Sequence, residues 1–410
     1  MTPDGARSPR KLPPAVWALG LTSLFMDISS ELAHSLLPVF LASVLGAGML
    51  AIGLIEGAAE AIASLTRVLS GVLSDRRSAR KPFVLFGYAL SAVTKPVFPL
   101  AATIGWVAAA RFADRVGKGV RTAPRDALLA GLAPEALRGA AFGLRQALDS
   151  LGALLGPLAA IAFMALLGND IRAVLWVGVF FAFAAVVVVA AAVPESARPP
   201  RDASGGELFR PRAARCLGSG YWLLVALGAA LALARFSEAF LVLRARDVGA
   251  SLTFAPAVMA VMNAVYAAAA YPAGRASDRR RPRGLLLAAA GVLAAADLIL
   301  AAASSLPLAL AGAALWGLHM ALSQGLLARL IADAAPEGLR GTAFGAYHLV
   351  TGLATLLASL IAGALWNWLG PPATFLAGAV FAALAAAGLV LFRPNPAVST
   401  PGSGNPAARL

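Results

Sequence analysis

Seven charges sit in the middle of what otherwise reads as a membrane span: Arg111-Phe-Ala-Asp-Arg-Val-Gly-Lys-Gly-Val-Arg-Thr-Ala-Pro-Arg-Asp126. The stretch follows the apolar run 105–110 and leads into 127–132. At roughly 100° per residue, Arg111, Asp114, Arg115, Lys118, Arg121, Arg125 and Asp126 fall within an arc of about 140° on a helix. Phe112, Ala113, Val116, Val120 and Ala127 take the other side. A charge at the bilayer centre costs about 2.5–3.5 kcal/mol, so a lipid-facing stripe of this kind would cost about 20. The stripe is therefore expected to line a polar cavity enclosed by the rest of the chain. A helix that stops at Pro124, leaving Arg125 and Asp126 in water, is the plainer alternative.

The chain around it is 60% hydrophobic and only 13% charged. A soluble domain carries about 25% charge, so the composition points to a polytopic membrane protein. Apolar runs long enough to span (about 20 residues) fall at 15–40, 49–71, 83–103, 105–127, 139–166, 173–193, 220–242, 253–273, 284–303, 306–331, 341–366 and 372–392. All-α architecture with twelve spans is expected. With the amino terminus inside, cytoplasmic segments hold 21 Arg and Lys against 3 in external loops, which sets the orientation. The net charge of +14 thus belongs to topology, and nucleic acid is not expected as a partner. The single cysteine, Cys216, excludes a disulfide framework and a Cys-based metal site.

The chain repeats itself. Pro134-Glu-Ala-Leu-Arg-Gly-Ala-Ala-Phe-Gly143 recurs as Pro336-Glu-Gly-Leu-Arg-Gly-Thr-Ala-Phe-Gly345, and Gly71-Val-Leu-Ser-Asp-Arg76 as Gly274-Arg-Ala-Ser-Asp-Arg279. The offsets, 202 and 203 residues, correspond to six spans. Two parallel, pseudo-symmetric six-helix halves with a site between them follow from this. The division expected is a tail 1–14, a first half 15–193, a linker 194–219, a second half 220–392 and a tail 393–410, both tails cytoplasmic.

Three motifs carry a family resemblance. Gly71-Val-Leu-Ser-Asp-Arg-Arg-Ser-Ala-Arg-Lys81 resembles the loop between spans two and three that marks the major facilitator superfamily, with Ser78-Ala79 where a glycine is usual. Gly143, Gly152 and Gly156-Pro157 resemble the fifth-span motif of its drug–proton antiporter branch, although Ala160-Ile161 replaces a paired glycine. Arg111 sits where the family places a fourth-span arginine, in far more charged surroundings. The resemblance implies the major facilitator fold and a monomeric secondary transporter in a bacterial-type inner membrane. It implies alternating access, proton coupling, and export of a small organic solute. Gly71, Asp75, Arg76, Asp278, Arg279, Gly152, Gly156 and Pro157 would then form the conformational gate. No cofactor is expected, and the chain is not expected to be an enzyme.

Other buried charges extend the stripe. The first span carries Asp27, Ser30, Glu31, His34 and Ser35 on one face, and the second carries Glu56, Glu60 and Arg67. Counting inward from the span ends puts Asp27, Glu60, Arg115 and Asp149 near one depth. Asp27, Glu31, Glu60 and Asp149 are the candidate proton-coupling acids. Arg111, Arg115, Lys118, Arg145, His34, Asn263, His319 and Gln324 are the candidate solute contacts. The first-half interior sums to +1, which favours an anionic or zwitterionic solute and leaves uptake of an organic anion open beside export. Asp27, Glu31, His34 and Glu60 also permit a divalent cation as cargo, against which the arginines argue. A hydrolase built on Ser30, Ser35, His34 and Asp27 lacks a nucleophile elbow. A sensor of transporter ancestry remains a different class of reading.

Overall fold

The computed structural model describes residues 11–75, 80–195, 217–279, 282–335 and 339–391. Eleven helical stretches among these residues are long and apolar enough to cross a bilayer. The fourth span, Ile104–Leu132, has 29 residues and carries too many charges to be counted with them. At 1.5 Å per residue it is about 43 Å long, ample for a hydrocarbon core of about 30 Å. Its helix runs straight through Pro124, so the early stop that would free Arg125 and Asp126 does not occur.

In order, the first span is Pro14–Val39, the second Met49–Asp75, the third Lys81–Thr94, the fifth Arg138–Leu166 and the sixth Ile171–Ala192. The seventh is split into Ser219–Ala234 and Ala239–Asp247. The eighth is Ala257–Arg279, the ninth Pro282–Ala302, the tenth Leu306–Ala334, the eleventh Arg340–Leu369 and the twelfth Pro371–Leu391. The third span also breaks, at Lys95-Pro96, before a short turn Val97–Leu100. Proline cannot donate the bond that would carry the helix on.

The packing repeats with the six-span period. First on fifth, second on fourth, third on fourth and first on sixth recur as seventh on eleventh, eighth on tenth, ninth on tenth and seventh on twelfth. The halves meet along two equivalent seams, second on eleventh and eighth on fifth. The outer faces keep large apolar residues such as Phe180, Trp106 and Leu384 for lipid.

One end of the bundle is shut. Asn169 and Thr253, from opposite halves, are 2.5 Å apart, and Asn367 accepts a bond from the Met49 amide at 3.2 Å. Just inside, the second and eleventh spans touch through glycine: a Cβ on Gly57 would sit 2.9 Å from the Leu356 Cα. The space between the halves reaches toward the other end, the end that carries Arg80 and Arg138, where Arg67 and Phe344 line it; the second and eleventh spans still touch there, at Val68 and Gly345.

Candidate functional site

A cavity of about 540 Å³ lies between the halves. Its first-half wall is Glu31, His34, Glu60, Ser64, Arg67, Arg115 and Lys118. Its second-half wall is Arg235–Glu238, His319, Gln324, Tyr347, His348 and Thr351. The break in the seventh span builds part of this wall. Its four residues leave the helix, and the freed backbone is satisfied by hydroxyls: the Ser237 amide donates to Ser359 Oγ at 3.1 Å and the Ala239 amide to Ser237 Oγ at 3.3 Å. Irregular backbone at membrane depth is tolerated where it borders a cavity in this way.

Behind the first-half wall the stripe is caged. Glu56 and Glu60 lie one turn apart on the second span and face Arg111 and Arg115, one turn apart on the fourth. Arg111 donates to both Glu56 oxygens, Nε at 3.1 Å and Nη2 at 2.6 Å, with both side chains only 1% exposed. Arg115 pairs with Glu60 at 3.4 Å. Asp114 faces Lys95 at 3.2 Å and lies 3.9 Å from both arginines, while Lys95 also donates to Ser30 Oγ at 3.2 Å. An unpaired charge here would be costly, and each ion is met by an opposite one.

His34 joins this cage to the cavity. Its Nδ1 is 2.7 Å from Arg111 Nη2. A guanidinium only donates, so Nδ1 accepts and the ring proton is assigned to Nε2. That nitrogen points across the cavity to Glu238, 3.9 Å away on the other half.

A second cluster lies nearer the linker end. Arg145 meets Asp149 at 2.6 Å and Asp126 at 3.8 Å, and Arg125 meets Asp126 at 3.2 Å, Asp149 at 3.9 Å and Ser23 Oγ at 2.9 Å. Arg121 donates to Ser91 Oγ at 2.6 Å and lies over the Tyr88 ring. The single charge level expected from span counting is thus corrected to two tiers. Asp149 belongs to the lower one because it sits on the fifth span beside Arg145, one turn away.

The candidate residues therefore separate. Glu31, Glu60, Arg115, Lys118, His34, His319 and Gln324 line the cavity. Arg111, Arg145, Asn263, Asp27 and Asp149 are not among its lining residues. Arg111, expected as a solute contact, directs Nε and Nη2 to Glu56 and His34 behind the wall. Arg145 is likewise directed to the lower cluster, and Asn263 donates to the Ala153 carbonyl of the fifth span at 2.8 Å. His319 is buried with Nδ1 2.8 Å from the Ala289 carbonyl, so one ring edge is structural. No group of three or more His, Cys, Asp or Glu fit to hold a metal ion occurs among the described residues.

Gly152 and Gly156 pack against the first span. A Cβ on Gly156 would sit 2.8 Å from the Leu32 amide nitrogen and 2.7 Å from the Glu31 Cβ; on Gly152 it would be 2.9 Å from the Asp27 Cβ. The fifth-span glycines are the surface on which the first span's acids rest, with Pro157 buried beside them. Gly71 faces Ala123 of the fourth span. Arg76 and the side chains of Asp75, Asp278 and Arg279 lie outside the described residues.

Four cavity charges have no ion pair among the described residues: Arg67, Lys118, Arg235 and Glu31. Lys118 and Glu31 are among the site residues expected from the sequence. The apolar run 220–242 reads as an unbroken seventh span, and Arg235 and Glu238 lie inside it. The signal was present in Arg235-Phe-Ser-Glu238, four residues with two charges inside an apolar run.

The family model of the Major Facilitator Superfamily matches residues 19–243 and 223–409. An uncharacterized MFS-type transporter of Methanocaldococcus jannaschii is 33% identical over 390 residues, covering 93% of this chain and 95% of its own. An uncharacterized protein of Mycobacterium tuberculosis is 30% identical over 362 residues, 86% of each chain. Among solved structures, the nucleoside transporter NupG superposes with a TM-score of 0.80 at 12% identity, over 92% of this chain and 100% of its own. A bacterial homologue of the human lysosomal transporter Spinster superposes with a TM-score of 0.72 at 17% identity, over 93% of this chain and 98% of its own.

Proposed function

The chain belongs to the major facilitator superfamily, a family of multi-pass membrane transporters rather than enzymes, and on that premise we propose that it moves a small organic anion or zwitterion by proton-coupled alternating access. The observation that carries the reading is the set of unpaired cations on both cavity walls. Arg67 and Lys118 stand on the first half and Arg235 on the second. Once Arg115 is assigned to Glu60, these three face only Glu31 and Glu238. A cavity with surplus positive charge attracts an anion, and arginine holds a carboxylate or phosphate through paired hydrogen bonds. An anion touching Arg235 and Lys118 together would draw the halves toward each other, which is the motion that alternating access requires.

Glu31, Glu60 and Glu238 are the proton carriers in this reading, since they are the acids that line the cavity. Protonating one of them raises the positive surplus and strengthens anion binding, which favours co-transport and hence uptake. The fifth-span glycines, resting on the first span beside its acids, favour the antiporter branch and export. With the linker end in the cytoplasm, as the basic bias implies, the closed end is external and the cavity faces inward, in a bacterial-type inner membrane. Divalent metal as cargo is disfavoured by four lining cations, counting Arg115.

A ligand-stabilisation screen on the purified protein tests the reading with organic anions, zwitterions, lipophilic cations and divalent metals. An anionic or zwitterionic hit should lose at least tenfold in affinity, about 1.4 kcal/mol, in the Lys118→Gln, Arg235→Gln double variant. Stabilisation by a lipophilic cation that binds this variant more tightly would overturn it.

A further inference from the structure

Asp297 stands apart from every charge discussed so far. It lies in the last third of the ninth span, five residues before its end at Ala302, is fully buried, and has no hydrogen-bond partner on either carboxyl oxygen. It also takes part in no ion pair among the described residues. The twelfth span, which packs against it through Gly378, has no charged residue at all. The nearest titratable groups on other packed elements are engaged elsewhere. His319 of the tenth span binds Ala289, two turns away on the ninth, and Arg244 of the seventh caps the carbonyls of Leu300, Ala301 and Ala303 while pairing with Asp247. Arg235 and Glu238 point into the central cavity.

Asp297 adjoins the cavity-lining Phe236 across Gly378 of the twelfth span. A Cβ on Gly378 would lie 2.5 Å from Asp297 Oδ2 and 3.1 Å from Cε1 of Phe236, so carboxyl and ring adjoin the same point. Phe236 is itself a cavity-lining residue, and it stands in the non-helical break of the seventh span. Its ring packs edge-on against Phe240, Trp316 and Phe375. The indole N–H of Trp316, buried in the same cluster, is unpartnered too. A carboxylate walled in by hydrocarbon, with neither donor nor cation, is poorly tolerated, whereas the neutral acid is accommodated. The ring sits on backbone that no helical hydrogen bonds constrain, so it can turn aside without unwinding a helix.

We propose that Asp297 is a proton-binding site separate from the central charge cage, closed off from the cavity by Phe236 at the break in the seventh span. The carboxylate takes one proton from cavity water when the ring is displaced and keeps it, as the carboxylic acid, when the ring returns. No other reactant is needed. The second half thereby gains a proton site besides Glu238, one that lies off the cavity wall behind the ring.

Infrared difference spectroscopy on the full-length protein in lipid vesicles tests this with protons as the only ligand, so its outcome is independent of the solute and of the central acids. The wild type should show the carbonyl band of a carboxylic acid free of hydrogen bonds, and Asp297→Asn, which keeps the neutral shape, should lack it. On transfer to heavy water the band should shift slowly in the wild type and at least tenfold faster in Phe236→Ala. A wild-type band that survives in Asp297→Asn would overturn the site. Equal exchange rates with and without the Phe236 ring would overturn the gate.

Discussion

Replacing Arg111 with methionine removes both hydrogen bonds that Glu56 receives from it, at 3.1 and 2.6 Å, and leaves a carboxylate 1% exposed. The neighbour left to Glu56 is His34, 3.5 Å away, whose Nδ1 also loses its donor. Breaking a buried pair from one side costs about 3–5 kcal/mol, because the surviving charge is uncompensated. Removing both charges is a different perturbation. Glu56→Leu with Arg111→Met swaps the pair for apolar groups of similar size and should return stability to within about 1 kcal/mol of the wild type. The assay is reversible unfolding in detergent followed by fluorescence of the seven tryptophans. A single variant without cost would refute the cage, and a double variant as unstable as Arg111→Met would refute its electrostatic basis. Because neither residue lines the cavity, the double variant should also keep ligand-induced stabilisation.

Gly156→Leu should destabilise by at least about 1–3 kcal/mol, since its first carbon already meets the Leu32 backbone at 2.8 Å; the same unfolding assay reads it, and a neutral result would remove the close first–fifth seam. Gly57→Leu should pry open the shut end, so that a cysteine placed at Gln324 in a Cys216→Ser background labels more slowly from the linker side; faster labelling would contradict the seam's role. Cys216 itself should react with an impermeant thiol reagent only after cells are permeabilised, and reaction in intact cells would invert the topology. Asp75→Asn should abolish transport with expression near normal; unaltered transport would leave the loop after the second span as a topology signal alone.

The spans, the duplication and the fourth-span stripe could be read from the chain because each is local or repeats at long range: apolar runs, a six-span offset, one helix face. Partner choice could not. Arg111 and Arg115 share a face one turn apart, yet Arg111 is caged and Arg115 reaches the cavity. That difference depends on the register of the second span, whose Glu56 and Glu60 meet them in turn. The matched one-turn spacing of two acids and two arginines was the available clue to this ladder. The seventh-span break was masked for another reason: apolar residues on both sides of Arg235–Glu238 make one continuous run. The hydroxyls of Ser237 and Ser359, the latter from a span far away in sequence, accept from the Ala239 and Ser237 amides that the break exposes. Asp297 stands alone in the apolar run 284–303, which marks it as a buried acid, but its isolation is a property of the neighbouring elements.

Counterflow in proteoliposomes tests transport itself most directly. Vesicles loaded with an unlabelled hit from the ligand screen, then diluted into a trace of labelled hit, need no proton or voltage gradient to drive exchange. Alternating access predicts a transient accumulation of label above equilibrium, reduced at least tenfold in the Lys118→Gln, Arg235→Gln variant. Label that equilibrates no faster than in protein-free vesicles, while the same compound still stabilises the protein, would contradict it and make the chain a receptor for that solute.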